Sequence, residues 1–225
     1  MCTERTFTIS PDNLDWKGVW AAMGYNDSVP GQDILDLAQT VAARLLPYAR
    51  LKIMFRRVRA EKISSRQITL DGKLFTPDGI ICSYLDGMTE ACVFVATAGH
   101  EFHEKVREMK KEGDVLADFI ADSIGTVLAE HAVGKVEEEF GSGDHQSLSY
   151  SPGYCNWNIS EQVTFFSLFP PHPCGISLSP SFLMTPEKSV SGFFAFGEDL
   201  VRQPYRCEIC KNPSCYKRKE GQQSR

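Results

Sequence analysis

The sequence has no long apolar run and no sign of a transport signal. No uninterrupted apolar stretch approaches the roughly 18 residues of a membrane span, and the N-terminal MCTERTFTIS has no apolar core. The formal net charge of -5 does not favour binding to a polyanion. We therefore expect a soluble cytoplasmic protein that binds neither membranes nor nucleic acid.

Common catalytic motifs are also missing. The chain contains no G-x-x-x-x-G-K-[ST] phosphate loop, no H-E-x-x-H zinc motif and no G-x-S-x-G nucleophile turn. We therefore predict no catalytic residues, and we expect that the chain is not an independent enzyme.

Periodic apolar patterns predict an α+β fold. ERTFTIS, LKIMFRRVRAEKI and ACVFVATAG have the composition of strands, and Asp71-Gly72 is typical of a tight hairpin. Helices are predicted from Ser10-Pro11 to Gly24, over 34–46, and over about 114–140. The apolar side of the third is predicted to contain Leu116, Phe119, Ile120, Ile124, Val127 and Leu128. Because helices and strands do not alternate regularly, we predict a mostly antiparallel sheet flanked by helices.

Three of the eight cysteines lie in a basic C-terminal segment, with the spacing Cys207-x2-Cys210-x4-Cys215. Two thiolates separated by two residues can bind one metal ion, and the third is close enough to join them. Spacing does not separate zinc from an iron–sulfur cluster, and the segment could also be functionally silent. Cys155 or Cys174 could be a fourth ligand. We predict one domain over 1–200 and a cysteine-containing tail over 201–225.

Residues 149–157 read SYSPGYCNW and follow the long predicted helix. Pro152-Gly153 is a strong turn signal. The segment is either a tight corner that places Tyr154 and Trp157 in the core, or a loop that brings backbone close to a ligand.

Three segments together resemble the activation domain of cobalamin-dependent methionine synthase, in particular its stand-alone forms. They are ADSIGTVLAEHAVGKVEEEFG, SPGYCNW and GISLSPSFLMTPEKSVSG, and they appear in the family's order. The resemblance implies a curved sheet. It also implies binding of S-adenosylmethionine, which is presented to cobalamin carried by a methionine synthase or another corrinoid protein. An electron donor would reduce the cobalt.

The resemblance implies a ligand site with two changes. The family has an arginine at the position of Ser149 and a glutamate at that of Thr126, whereas Glu130, Ser151, Pro152, Gly153 and Tyr154 keep the loop and helix pattern. We therefore expect S-adenosylmethionine binding to be weak or lost. The chain would then be an accessory protein in reductive reactivation of a cobalamin-carrying partner. The alternative is a redox or structural metal protein that has lost this ligand.

Overall fold

A computed structural model describes residues 1–25, 28–140 and 145–203. Cys207, Cys210, Cys215 and nearly all of the predicted tail over 201–225 lie outside these residues. In the part of the chain that is described, no helix is both long and apolar enough to cross a membrane.

The main sheet has six strands in the described residues, with the order β4-β3-β2-β5-β8 and with β1 paired to the first part of β2. Each pairing is antiparallel. A separate hairpin consists of β6 and β7. The strands are β1 Thr3–Phe7, β2 Leu51–Ser64, β3 Gln67–Leu70, β4 Lys73–Phe75, β5 Glu90–Thr97, β6 Ser177–Leu178, β7 Met184–Thr185 and β8 Ser189–Phe196.

Helices lie between these strands in the chain and flank the sheet. They are α1 Trp16–Ala22, α2 Gln32–Leu45, α3 Gly79–Ser83, α4 His100–Lys110, α5 Val115–Phe140 and α6 Gln162–Phe166. The predicted α+β class with a mostly antiparallel, helix-flanked sheet is confirmed. The predicted Asp71-Gly72 turn joins β3 to β4, and both residues have the positive φ angles of a two-residue hairpin loop.

Both faces of the central strands are buried, which explains why ACVFVATAG is apolar throughout. On β5, Cys92 and Phe94 pack in the cluster that contains α1, α2, α4 and α5. Val93 and Val95 point to the opposite face and pack with α3, α6 and the segment after α5. The strand therefore carries apolar residues at every position rather than at alternate ones.

The first helix begins later than predicted. Ser10 makes no side-chain cap, and Pro11–Asn13 form only a short 3-10 turn. Leu14 is extended and buried, and Asp15 then caps α1 by accepting a hydrogen bond from the Gly18 amide at 3.0 Å. Burial of Leu14 therefore interrupts the helix that the local signal at Ser10-Pro11 predicts.

The buried side of α5 combines large apolar residues with small ones. Of the residues predicted on the apolar side, Ile120, Ile124, Val127 and Leu128 are buried, whereas Leu116 and Phe119 are exposed. Ala117, Ala121 and Ala132 are buried as well. The helix packs against α1, α2, α4 and three strands. Contact with several elements requires close approach, which alanine allows.

A short segment after α5 pairs with the outer edge of β8. The backbones of Tyr150 and Phe193 exchange two hydrogen bonds, of 3.0 and 2.9 Å, and Gln146 bridges Phe196. At Gly192 a β-carbon would lie 2.8 Å from the Tyr150 carbonyl oxygen and 3.0 Å from the Phe94 ring. The glycine therefore allows the segment to lie directly against β8.

Two glycine-to-alanine changes should have opposite effects on stability. Gly192→Ala should lower the free energy of unfolding by about 1–3 kcal/mol because the new methyl group overlaps the paired backbone. Gly134→Ala, in the middle of α5 where a β-carbon meets nothing within 4 Å, should raise it by about 0.5–1 kcal/mol. Urea unfolding of both variants measures the difference. Equal changes in the free energy of unfolding of the two variants would contradict the close approach at Gly192.

Candidate functional site

The SYSPGYCNW segment folds into a compact turn closed by its own backbone. The Tyr154 amide donates a hydrogen bond to the Ser151 carbonyl oxygen (3.1 Å), and the Gly153 amide donates one to the Trp157 carbonyl oxygen (2.8 Å). Gly153 has a φ of 97°, a conformation that favours glycine. Trp157 is 2% exposed whereas Tyr154 is 47% exposed. Trp157 therefore lies in the core, as the corner interpretation predicts, whereas Tyr154 does not and lies at the surface.

A carboxylate attaches the turn to the far end of the sheet. Glu161 accepts a hydrogen bond from the Trp157 indole N–H at 2.7 Å and another from the Thr76 amide at 3.0 Å. Thr76 directly follows β4. The indole is buried, so its N–H needs this acceptor.

A buried polar contact joins three parts of the fold beneath the turn. The hydroxyls of Ser151 and Ser191 lie 3.3 Å apart, and Ser191 donates to the side-chain oxygen of Gln162 at 3.0 Å. All three residues are buried. Ser151 belongs to SPGY, Ser191 to SVSG and Gln162 to the following helix. These motifs therefore meet at one point in space although they are distant in sequence.

A cleft of about 190 Å³ opens between α5, the turn and the edge of β8. It will be called the main cleft. Of the residues predicted for the ligand site, Glu130, Ser149, Ser151 and Tyr154 line it together. The other lining residues are Phe94, Val133, Gly134, Glu137, Val190 and Ser191.

The remaining predicted positions lie beside the main cleft rather than along its wall. Pro152 and Gly153 form the turn between Ser151 and Tyr154. Thr126 lies one helical turn before Glu130, and its hydroxyl accepts a hydrogen bond from the Lys188 ammonium at 3.0 Å. Lys188 also pairs with Asp122 at 2.8 Å. The Thr126 side chain is therefore engaged by a cation.

A second cleft, of about 220 Å³, lies on the other side of Glu130. It is lined by residues of α1 and α5, and Asp15, Glu130 and His131 are its ionisable ones. Burial is the main cause that lowers the pKa of His131, and the charge of Lys135 lowers it further. Glu130 thus borders both clefts.

Several lining residues were not predicted from the sequence. Gly134 and Glu137 lie four and seven positions after Glu130, the spacing that puts helical residues on one face, so this periodicity could have identified them. No comparable local signal points to Asp15, because α1 and α5 are brought together only by packing.

The described residues hold no cluster of three or more His, Cys, Asp or Glu side chains that could bind a metal ion. Cys207, Cys210 and Cys215 lie outside them. Of the two suggested fourth ligands, Cys174 is buried, and burial raises the pKa of its thiol to about 12. Cys155 is only partly buried. Since metals bind the thiolate, the less buried Cys155 is chemically the more suitable ligand of the two.

Comparison with known proteins gives the family. Residues 81–202 match the sequence profile described as "Vitamin B12 dependent methionine synthase, activation domain". The chain belongs to this family. The match contains the whole of α5, the turn and β8, and therefore the main cleft.

The fold is similar to that of the MetH reactivation domain, solved in a crystal structure bound to AdoHcy. The TM-score is 0.67 at 15% sequence identity, and the alignment covers 90% of this chain and 80% of that chain. At this identity the likeness establishes the fold. The chain matched none of the curated proteins.

Removing the Glu161 carboxylate should loosen the turn. In Glu161→Ala the buried Trp157 N–H loses its acceptor, which should lower the free energy of unfolding by about 1–3 kcal/mol. Glu161→Gln keeps a carbonyl acceptor and should lower it less. Chemical unfolding followed by tryptophan fluorescence measures the free energy of unfolding of the wild type and the two variants, and so tests this order of stability. If the alanine variant is as stable as the wild type, the carboxylate does not anchor the turn.

Proposed function

We propose that the protein binds S-adenosylmethionine in the main cleft and acts as an accessory factor in the reductive reactivation of a cobalamin-carrying partner. One observation carries the proposal: the SPGY turn, the Glu130 face of α5 and the SVSG strand line a single cleft. Family membership supports the same role.

Each cleft alone is small for such a ligand. Small-molecule sites usually begin at about 300 Å³. The main cleft and the second cleft are each smaller, at about 190 and 220 Å³, but both are lined by Glu130. The proposed ligand therefore extends past Glu130 from the main cleft toward the second cleft.

The chemistry of the lining is also suitable. S-adenosylmethionine carries a sulfonium and an ammonium group, and both are favoured near carboxylates. Glu130 and Glu137 line the main cleft, and Asp15 lines the second. Ser149 and Ser151 offer hydroxyl groups, and the half-exposed Tyr154 ring offers a flat apolar surface.

In the proposed role the chain positions the ligand and the partner supplies the cobalamin. S-adenosylmethionine, when bound, provides the methyl group of its sulfonium. Glu130 and Glu137 orient the cationic part of the ligand, and Tyr154 covers it. The partner is a methionine synthase or another corrinoid protein, and a separate electron donor reduces the cobalt.

Binding should be weak. Relative to a site with two more charge-assisted contacts of roughly 1.5 kcal/mol each, we expect a dissociation constant on the order of 100 μM or worse. Ser149→Arg should strengthen binding about tenfold because it adds a cation to the cleft wall, and Tyr154→Ala should weaken it. Thr126→Glu should have a smaller effect, since Lys188 lies beside that position. Calorimetric titration with S-adenosylmethionine measures the dissociation constants of the wild type and the three variants.

Tyr48 provides a matched control for Tyr154. It is similarly exposed, at 43% against 47%, but it does not line the main cleft. Tyr48→Ala should therefore bind like the wild type. If no variant binds the ligand, the turn is only a structural corner and the proposal fails.

We propose in addition that Cys207, Cys210 and Cys215 bind one metal centre. Support comes from their spacing and from the basic residues around them, since positive charge favours the thiolate. Either zinc or an iron–sulfur cluster suits these ligands. An iron–sulfur cluster would bring an electron carrier to the same chain.

The metal content of protein purified without oxygen tests this proposal. The wild type should contain zinc, or iron and sulfide, and the triple Cys→Ala variant should contain neither. Cys82→Ala is a suitable control because Cys82 is buried in the core. Equal metal content in the wild type and the triple variant would rule out the site.

A further inference from the structure

We infer that Cys155 is the fourth ligand of the metal centre proposed for the three tail cysteines, so that this centre lies beside Tyr154 at the edge of the main cleft. The inference rests on the proposal that the tail cysteines bind one metal centre. It goes further, because it assigns the remaining ligand and places a thiolate site next to the SPGY turn.

The tail alone supplies too few ligands. Structural zinc sites are almost always four-coordinate, and the common iron–sulfur clusters are held by four cysteine thiolates. The 22 residues from 204 to 225 contain three cysteines and no histidine. A fourth thiolate therefore has to come from the described part of the chain.

Burial separates the five cysteines of the described residues into two groups. Cys82, Cys92 and Cys174 are between 0% and 4% exposed, so a segment that approaches from outside cannot share a metal with them. Cys2 and Cys155 are only partly buried. These two are the candidates that a ligand from the tail can meet.

The sheet keeps Cys2 away from the start of the tail. Cys2 directly precedes β1, and β1, β2, β5 and β8 are successive neighbours in the sheet. Neighbouring strands are about 4.8 Å apart, so about 14 Å separates β1 from β8. Cys155 instead follows the segment that pairs with the outer edge of β8 through Tyr150 and Phe193.

The tail starts beside the main cleft. Arg202 donates a hydrogen bond to Glu137 at 2.7 Å, and Glu137 lines the cleft together with Tyr154. Cys155 is the next residue after Tyr154. An extended chain covers roughly 3.5 Å per residue, so the five steps from Arg202 to Cys207 reach up to about 17 Å. That reach exceeds the width of a cleft of about 190 Å³, and it brings the tail cysteines to Cys155.

Charge favours the same approach. The main cleft is lined by the carboxylates of Glu130 and Glu137. The tail from 204 to 225 contains six basic and two acidic side chains. Complementary charge steers the encounter of two surfaces, and nearby cations also favour the thiolate over the thiol. A basic segment that carries cysteines is therefore drawn to the side of the molecule where Cys155 lies.

Cobalt(II) is a suitable probe, because it replaces zinc in thiolate sites and its thiolate-to-metal absorption increases with the number of thiolate ligands. The full chain, reduced and freed of metal, is titrated with Co²⁺. In Cys155→Ser the absorption per bound cobalt should fall, since one thiolate is lost. Binding should weaken about tenfold or more, because even the loss of an outer partner of a metal ligand usually costs that much.

Cys2→Ser is the matched control. Cys2 is also partly buried, and the change is the same, but the residue lies beyond β2 from the main cleft. This variant should bind Co²⁺ with the absorption and the affinity of the wild type. That result would separate ligation by Cys155 from a general effect of removing a thiol.

A second measurement needs no variant at position 155. In the zinc-loaded wild type, iodoacetamide should modify Cys155 more slowly than in the metal-free protein, whereas the rate at Cys2 in the same molecule should not change. In the triple Cys→Ala variant of the tail, zinc should give Cys155 no protection. Mass spectrometry of the peptides measures each rate. Equal rates at Cys155 with and without zinc in the wild type would overturn the inference.

The outcomes distinguish this inference from the metal centre itself. If the wild type binds Co²⁺ and Cys155→Ser binds it with the same absorption and affinity, the inference is wrong and a centre with three tail cysteines stands. Protection of Cys155 without a change in absorption would mean that the tail only covers it, and would also overturn the inference. If the wild type binds no metal, the proposed centre and the inference both fail.

Discussion

The pairing of the segment after α5 with the edge of β8 is the contact on which the site depends. Tyr150 and Phe193 exchange backbone hydrogen bonds, and Ser151 then contacts Ser191 inside the protein. This fixes the turn at the β8 edge of the sheet, where its buried aromatics Tyr150 and Trp157 pack on the face opposite to α5. Because Gly192 has no side chain, the two backbones can approach closely. Without this pairing, Ser149 and Tyr154 would have no fixed position relative to Glu130.

The other wall of the cleft is fixed by the packing of α5. Its buried alanines allow close contact with α1, α2, α4 and the sheet. The helix is therefore held from several sides, and the face that carries Glu130, Gly134 and Glu137 has one orientation. Two independently fixed walls create the main cleft between them, so its shape does not depend on a ligand to bring them together.

The sequence predicted what depends on local patterns and missed what depends on long-range packing. The apolar run of β5, the long α5 and the Asp71-Gly72 hairpin follow from periodicity and turn chemistry, and the structure contains all three. The start of α1 was wrong because Leu14 is buried by distant residues. Lys188, which binds Thr126, lies 62 positions away in the chain. No local pattern indicates that contact.

The charged residues around the site bear on the two positions, 149 and 126, at which this chain departs from the family's pattern. The resemblance placed an arginine at position 149 and a glutamate at position 126, where this chain has serine and threonine. The structure has a lysine against Thr126 and an arginine against Glu137, and these two cations flank β8 on its two sides along the chain. Both cations are paired with carboxylates, Lys188 with Asp122 and Arg202 with Glu137, and neither belongs to the strand, because Lys188 directly precedes β8 and Arg202 follows Phe196 by six positions. Among the described residues, the lining of the main cleft therefore keeps the carboxylates of Glu130 and Glu137 and has no cation in place of the family's arginine at position 149.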